Sequence, residues 1–447
     1  MLTQPALALW PGSPQDMARL LQVWLFAAAA AALLLGAWRG GVTRPAGLWA
    51  LWMLGWGGAS VWAAAQPWAA AREAGLFLGM AALALAVRQF MQASPQAARA
   101  LAWLLVGSSA LYGVLYVLVS VLALAQGNFL SEEMAMGYAN PRHLNHVQTL
   151  LLPVLAALTL QSEQRLARAA QVALALQCVV LSSCQGRATF LSLASVTALL
   201  LWQWRFLPAR AMLLALRPLL VSALVGVVVA ALLYGLWGGL IAHQSYRYAP
   251  LSDPSSLGTR WRLCADALMQ FSISPILGVG PMHLAANTGL PAAHPHNAYV
   301  QLLTEWGIFW ALGAGILFLS MARRAYGVLA NPATPAGVGE GLALGAAAAF
   351  LASLVDACFS GNWVMPQSQT LLAVLLGVLA AQGAAAPAPS RSPAWPARIL
   401  CGCLLLGLLA QALVTAQEWH PNGPTLHGAP SLAREKLQPR FWVDGNI

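Results

Sequence analysis

Arginine carries a planar fork of donors that fits a phosphate or diphosphate. Five arginines, Arg142, Arg187, Arg247, Arg260 and Arg262, stand apart from the basic loops described below. Arg187 is the sharpest case, because Ser182-Ser183-Cys184-Gln185-Gly186-Arg187-Ala188-Thr189 joins two apolar runs. An ionisable residue at that depth is a candidate for function, and anion binding is the chemistry that suits it. The plain alternative is a side chain that extends to lipid headgroups. A second group is His294-Pro295-His296-Asn297-Ala298-Tyr299. Asn297 is expected to cap the helix that follows. His296 then sits at a helix amino end, where the dipole disfavours a charged imidazole, so the ring stays neutral and able to accept a proton. The alternative is a structural histidine at a membrane interface. A third group, Tyr138-Ala139-Asn140-Pro141-Arg142-His143-Leu144-Asn145-His146-Val147-Gln148, leads into another helix and offers Arg142 and His146. An ordinary interfacial loop is the competing reading.

No metal site is expected. Pro295 splits the two histidines, no carboxylate adjoins them, and no cysteine spacing matches a zinc site. Cys178, Cys184, Cys358, Cys401 and Cys403 lie in or beside apolar runs, where thiols act as small hydrophobes, and Cys264 lies in a polar segment. The run Pro275-Ile276-Leu277-Gly278-Val279-Gly280-Pro281 has two glycines but neither a preceding strand nor a Lys-Ser/Thr pair. It reads as a tight turn at a membrane surface, not as a nucleotide loop. Asp356, in an otherwise apolar helix, is either a helix-end carboxylate or a partner for one of the arginines. It precedes an uncharged turn at 361–369.

Composition says what must position these residues. Of 447 residues 59% are apolar and 8% charged, against about 25% charged in an ordinary soluble domain. That excludes a soluble globular protein, a disordered chain and a disulfide scaffold. The expected fold is an all-α polytopic membrane protein. Twelve apolar segments qualify as spans, near 18–37, 46–65, 74–91, 100–125, 147–160, 168–184, 188–204, 212–240, 297–320, 341–358, 366–386 and 396–415. The first is too long, and too poor in preceding basic residues, for a cleaved signal peptide.

The net charge of +10 is mostly topological. Arg39 and Arg44, Arg88 and Arg99, Arg165 and Arg168, Arg205 with Arg210 and Arg217, Arg323 and Arg324, and Arg391 and Arg398 fall in alternate loops, which places those loops in the cytoplasm. The basic excess therefore implies no nucleic-acid partner. Four regions are expected: helices one to eight over 1–240, an external loop domain at 241–296, helices nine to twelve over 297–415, and an external tail at 416–447. The loop holds Tyr246, Tyr248, Pro250 and Asp253, then a helical run from Thr259 to Phe271 with Trp261, Leu263, Cys264, Leu268 and Phe271 at helical spacing. Residues 384–396 read as a Pro/Ala linker. No internal repeat supports a two-halved transporter.

Three of these features, taken in order, resemble the superfamily of O-antigen ligases and O-antigen polymerases, which also includes the O-linked oligosaccharyltransferases that glycosylate pilins. They are Gly186-Arg187 between two spans, Arg260 fifteen residues before Pro275-x-x-Gly278-x-Gly280, and His296-Asn297 with Gly307 ten residues after the asparagine. The resemblance covers roughly residues 130–380. Cys264 departs from it, standing where the family often has a tryptophan. The resemblance implies a GT-C type glycosyltransferase of the bacterial inner membrane, inverting, independent of metal and cofactor, with its site facing the periplasm. Its donor would be an undecaprenyl-diphosphate-linked glycan and its acceptor a sugar hydroxyl of lipid A–core. His296 would be the base, Arg187 and Arg260 would hold the diphosphate, and Asn297 would cap its helix or orient a sugar. Arg142 and His146 are further substrate-binding candidates, and membrane lipids are the remaining partners. The short tail favours a ligase over a pilin-type protein oligosaccharyltransferase or a polymerase. A lipid-linked glycan transporter, the non-enzymatic alternative, would want charge spread through the midplane of several helices, whereas here it is confined largely to loops.

Overall fold

Short polar side chains set the helix starts. Ser94 and Asn140 are extended, and their side chains accept the backbone N–H of Gln96 and Arg142, with proline at the first helical position in both. Proline has no N–H to satisfy there, so the two residues together fix the boundary. The computed structural model describes residues 14–37, 44–126, 135–138, 140–184, 186–205, 209–237, 254–286, 294–330, 337–382 and 395–418. The readings placed on Arg39, on Tyr246, Arg247, Tyr248, Pro250 and Asp253, on most of the 384–396 linker and on the tail beyond 418 lie outside these residues.

Among the described residues the fold is all-helical, without strands. The helices are α1 (Pro14–Ala32), α2 (Arg44–Ala63), α3 (Pro67–Ala93), α4 (Pro95–Ala125), α5 (Pro141–Leu158), α6 (Gln164–Cys184), α7 (Arg187–Trp204), α8 (Ala209–Ala231), α9 (Pro254–Ile273), α10 (Ala298–Ala330), α11 (Val338–Asp356), α12 (Pro366–Ala381) and α13 (Trp395–Glu418). Each apolar segment of the sequence coincides with one of them, and α9 is the helical run of the long loop. Six are long and apolar enough to cross a membrane: α1, α3, α4, α6, α10 and α11. Three shorter apolar stretches are Leu216–Ala231, Pro366–Ala381 and Cys401–Ala416. The Arg-Pro start and glycines of α2, and the Arg-His-Asn-His-Gln start of α5, dilute their apolar runs.

The chain forms two compact units. One takes in the described residues of Ala93–Ser252 and Ala322–Asp356, the other those of Pro11–Gln92, Asp253–Met321 and Ala357–Ile447. In the first, α5 packs against α6 and α11, α6 against α4 and α8, and α7 against α11. Leu144, Leu150, Leu151, Val154, Leu155, Leu166, Leu174 and Phe350 fill the interior. The alanine-rich stretch Ala346–Ala349 of α11 is buried and lets helix backbones approach closely. A polar ladder crosses these helices: Gln177 Nε2 donates to Ser109 O (2.9 Å), Gln148 Nε2 to Gln177 Oε1 (3.1 Å), and Asn145 Nδ2 to Gln148 Oε1 (3.0 Å). Interhelical bonds of this kind contribute about 1 kcal/mol each in a membrane. They pin the rotation of α5, which carries Arg142 and His146.

In the second unit α1 packs on α12 and α13, with Val23, Phe26, Ala27, Ala30, Leu76, Ala373, Leu408 and Ala412 at the core. Aromatic rings tie α10 to α2 and α3. Trp56 stacks on Phe309 at 4.5 Å, Phe77 meets Trp306 edge-on, and Trp52 Nε1 donates to Phe309 O (2.9 Å).

Candidate functional site

The six residues singled out in the sequence fall into two groups, one on each unit. Arg142, His146 and Arg187 belong to the first. His146 is 8% exposed, with Nδ1 3.5 Å from Oδ2 of the fully buried Asp356. The carboxylate at the end of α11 thus faces a histidine near the start of α5. His143, one helical turn before, stacks its ring on His146 at 6.2 Å. Arg142 is exposed in the first turn of α5, and Arg187 is half-buried as the first residue of α7. Gly186 brings the Arg187 turn against α5: a Cβ there would lie 2.6 Å from Asn145 Cγ. Thr189 Oγ1 donates to Asn145 O (3.0 Å) and fixes the same contact. Two arginines and a carboxylate-paired histidine therefore share one end of the bundle. Tyr138 lies just before that end, and burial pushes its hydroxyl far above the ordinary tyrosine range, so it stays a neutral phenol.

Arg260, His296 and Asn297 belong to the second unit. Asn297 caps α10, its Oδ1 accepting from Tyr299 N and Val300 N, both at 3.1 Å. His296 has φ 53, a left-handed conformation uncommon for a residue with a Cβ. Its N–H donates to His294 Nδ1 (3.1 Å), which requires an unprotonated Nδ1 on His294. The two rings meet edge to face at 4.3 Å. A non-glycine residue held left-handed is a strained position, and such positions cluster at functional sites.

Three segments converge here. Arg260 Nη1 donates to Phe359 O (3.1 Å), Cys264 Sγ to Pro295 O (3.4 Å), and Ala298 N to Ala357 O (2.8 Å). Helix α9, the histidine turn and the turn at 357–365 are thus tied together. Gly361 leaves room for His294, since a Cβ there would lie 2.6 Å from its ring. The thiol of Cys264 is pushed up by burial, which keeps it protonated and a donor.

The reading of a surface turn at 275–281 takes a more specific form. Helix α10 breaks at Gly307 (φ 78, ψ 171), a conformation open essentially only to glycine. The break frees carbonyls, and the turn fills them: Val279 N donates to Thr304 O (2.9 Å) and Gly280 N to Glu305 O (3.0 Å), while Ile308 N donates to Pro275 O (2.9 Å). Gly278 (φ 74) and Gly307 sit back to back, and a Cβ on Gly278 would lie 2.6 Å from Gly307 N. The glycine after His296-Asn297 and the glycines after Arg260 are therefore two halves of one junction, which sets α9 against α10.

Some residues escaped the sequence reading. Arg19, 2% exposed in α1, donates to Gln22 Oε1 and Gln369 Oε1 (both 2.6 Å) and to Val364 O (2.7 Å). It clamps the segment that carries Phe359 and Gly361. Glu305, fully buried, accepts from Leu284 N (3.1 Å) and Gln301 Nε2 (3.3 Å) beside the break. The signal for Arg19 was available, since it is another arginine at an end of a span where the basic loops do not lie. Among the described residues no three His, Cys, Asp or Glu side chains converge as metal ligands do.

Residues 170–318 match the family model described as O-antigen ligase. The chain carries an O-antigen ligase family domain. No curated protein matches the chain. The O-antigen ligase match begins in α6 and ends in α10, so it takes in Arg187, Arg260, the glycine junction, His296 and Asn297. Arg142, His146 and Asp356 lie outside it. With six long apolar helices among the described residues, the protein is a multi-pass membrane protein.

Proposed function

We propose that the protein is an O-antigen ligase, transferring a glycan from undecaprenyl diphosphate to a sugar hydroxyl of lipid A–core at the periplasmic face of the inner membrane. The observation that carries this reading is the histidine turn. His296 is held left-handed outside the capped end of α10, and Arg260 is anchored through Phe359 to the turn that Ala357 ties to the start of α10.

In the proposed reaction His296 takes the proton of the acceptor hydroxyl as its oxygen attacks the anomeric carbon. The bond from that carbon to the diphosphate oxygen breaks on the opposite face, so configuration inverts and undecaprenyl diphosphate leaves. Negative charge grows on the diphosphate, and fixed guanidinium groups stabilise it electrostatically. Arg260 and Arg187 are the proposed donor-binding arginines, with Arg142 and His146 as further contacts and Asn297 as the cap that orients the turn. The twelve-span topology and the GT-C class belong to this proposal.

Replacing Arg187 or Arg260 by alanine is expected to raise the donor KM and lower kcat, with the acceptor KM little changed. Steady-state kinetics with each substrate varied separately test this, and unchanged donor kinetics in both variants would remove the diphosphate assignment. Deleting the gene in its host tests the function as a whole. Lipid-linked O-antigen accumulating beside core-only lipopolysaccharide is the expected phenotype. Unglycosylated pilin with normal lipopolysaccharide would point to the oligosaccharyltransferase instead, and core capped with a single repeat to a polymerase.

A further inference from the structure

Helix α9 is apolar on two faces. Leu263 and Ala267 are buried, while Leu268, Met269, Ile273 and Ile276 of the following turn are 45%, 64%, 80% and 54% exposed. The sequence pattern grouped Leu268 with Leu263 and Cys264 on one apolar face, because spacing along a helix does not say which apolar side chains meet the protein. A stripe of this kind in water is a liability. Its depth supplies a different solvent.

Helix α9 runs beside the start of α10 in the same direction. Cys264 is level with Pro295, Ala267 with Thr304, whose Oγ1 donates to Ala267 O (3.1 Å), and Pro275 with Ile308. The chain then reverses through Gly278 and Gly280, and Leu284 N reaches back to Glu305. Two helices gauge how deep this lies. Ser60 Oγ donates to Glu305 O (3.3 Å) from α2, which begins at Arg44. From Arg44 to Ser60 is about 24 Å of helix. A hydrocarbon core is about 30 Å thick, so an upright α2 with Arg44 at one boundary would place Ser60 and Glu305 O about 6 Å inside the other. The second gauge is α10 itself. Its run Gly307–Met321 is uncharged and is followed by Arg323 and Arg324. That run is only about 21 Å long, so filling the core takes roughly six further residues, back to the level of Gln301.

Non-helical backbone at such depth persists only where protein satisfies its polar groups. The turn meets part of that demand. Gly278 N donates to Ser274 O (2.9 Å), Val279 N and Gly280 N donate to the carbonyls freed at the α10 break, and Pro275 and Pro281 have no N–H.

We propose that α9 and the 275–280 turn form a re-entrant hairpin whose stripe of Leu268, Met269, Ile273 and Ile276 contacts the acyl chains of the outer leaflet. Helix α10 likewise exposes Leu312, Ile316 and Leu319. The loop expected to be wholly external is thereby submerged at one end. This holds whichever reaction the protein catalyses, and its test is separate from activity.

Wild-type full-length protein in nanodiscs of phosphatidylethanolamine and phosphatidylglycerol, with a diazirine in one acyl chain, is irradiated and its adducts are mapped by peptide mass spectrometry. Adducts are expected within Leu268–Ile276 as well as Leu312–Leu319, and Met269 is expected to resist hydroxyl-radical oxidation several-fold relative to the denatured chain. Labelling of Leu312–Leu319 with none in Leu268–Ile276, or oxidation of Met269 as fast as in the denatured chain, would overturn the proposal.

Discussion

Replacing His296 by alanine is expected to lower glycan transfer by about 10²–10⁴-fold, the contribution of a positioned general base, while the protein still folds. Two observations support the second half of that expectation. The imidazole is only half-buried, so its removal leaves no large cavity in the core. The cap of α10 belongs to Asn297, which the substitution does not touch. The left-handed backbone complicates the alanine variant, because φ 53 disfavours any residue with a Cβ by roughly 1 kcal/mol or more. His296→Asn resolves this. Asparagine tolerates the left-handed region and cannot act as a base. An equal loss in both variants, with unfolding temperatures near that of the wild type, identifies the missing proton acceptor as the cause. Wild-type transfer by a well-folded His296→Asn protein would remove His296 from the chemistry.

The second large effect is structural. Gly307→Ala is expected to cost several kcal/mol and to leave little folded protein. The backbone at φ 78 and ψ 171 costs a residue with a Cβ about 1–3 kcal/mol. In addition, the new methyl would press on the backbone of Ile276 and lie 2.7 Å from Gly278 N. Neither neighbour can yield without opening the hydrogen bonds that join the turn to α10, and at membrane depth their loss is not made good by water. Gly315 is the control. It lies in the same helix, and a Cβ there would meet nothing within 4 Å, so Gly315→Ala is expected to be neutral or to stabilise by up to about 1 kcal/mol. Thermal unfolding of the two variants, followed by size-exclusion chromatography, checks the contrast. Equal stability would mean that the break in α10 is not a built junction.

How much of this was open to sequence reasoning depends on the range of the interaction. Helices were legible because hydrophobic runs and caps are local: Asn297 was read as a cap and is one, and the Thr259–Phe271 run lies within α9. Contacts between distant segments were not. Asp356 was left between a helix end and an arginine partner, and His146 faces it from another helix at 3.5 Å. Gly278 and Gly307 were noted separately, and nothing in a linear pattern says that they pack against one another. Arg19 followed the same topological logic as Arg187 yet passed unnoticed, since its partners Gln369 and Val364 are some 350 residues away. The family match covers the segments from Arg187 to Asn297, so it reinforces the motifs without assigning any residue its role.

The proposed function rests on transfer of a glycan from a lipid diphosphate to lipid A–core by this chain alone. Purified protein in proteoliposomes, given undecaprenyl-diphosphate-linked glycan and lipid A–core, tests it by following both products. Glycan-bearing lipid A–core and free undecaprenyl diphosphate are expected in equal amounts, with both lost in His296→Asn. Folded wild-type protein that forms neither product, or a His296→Asn variant that forms both at the wild-type rate, would contradict it.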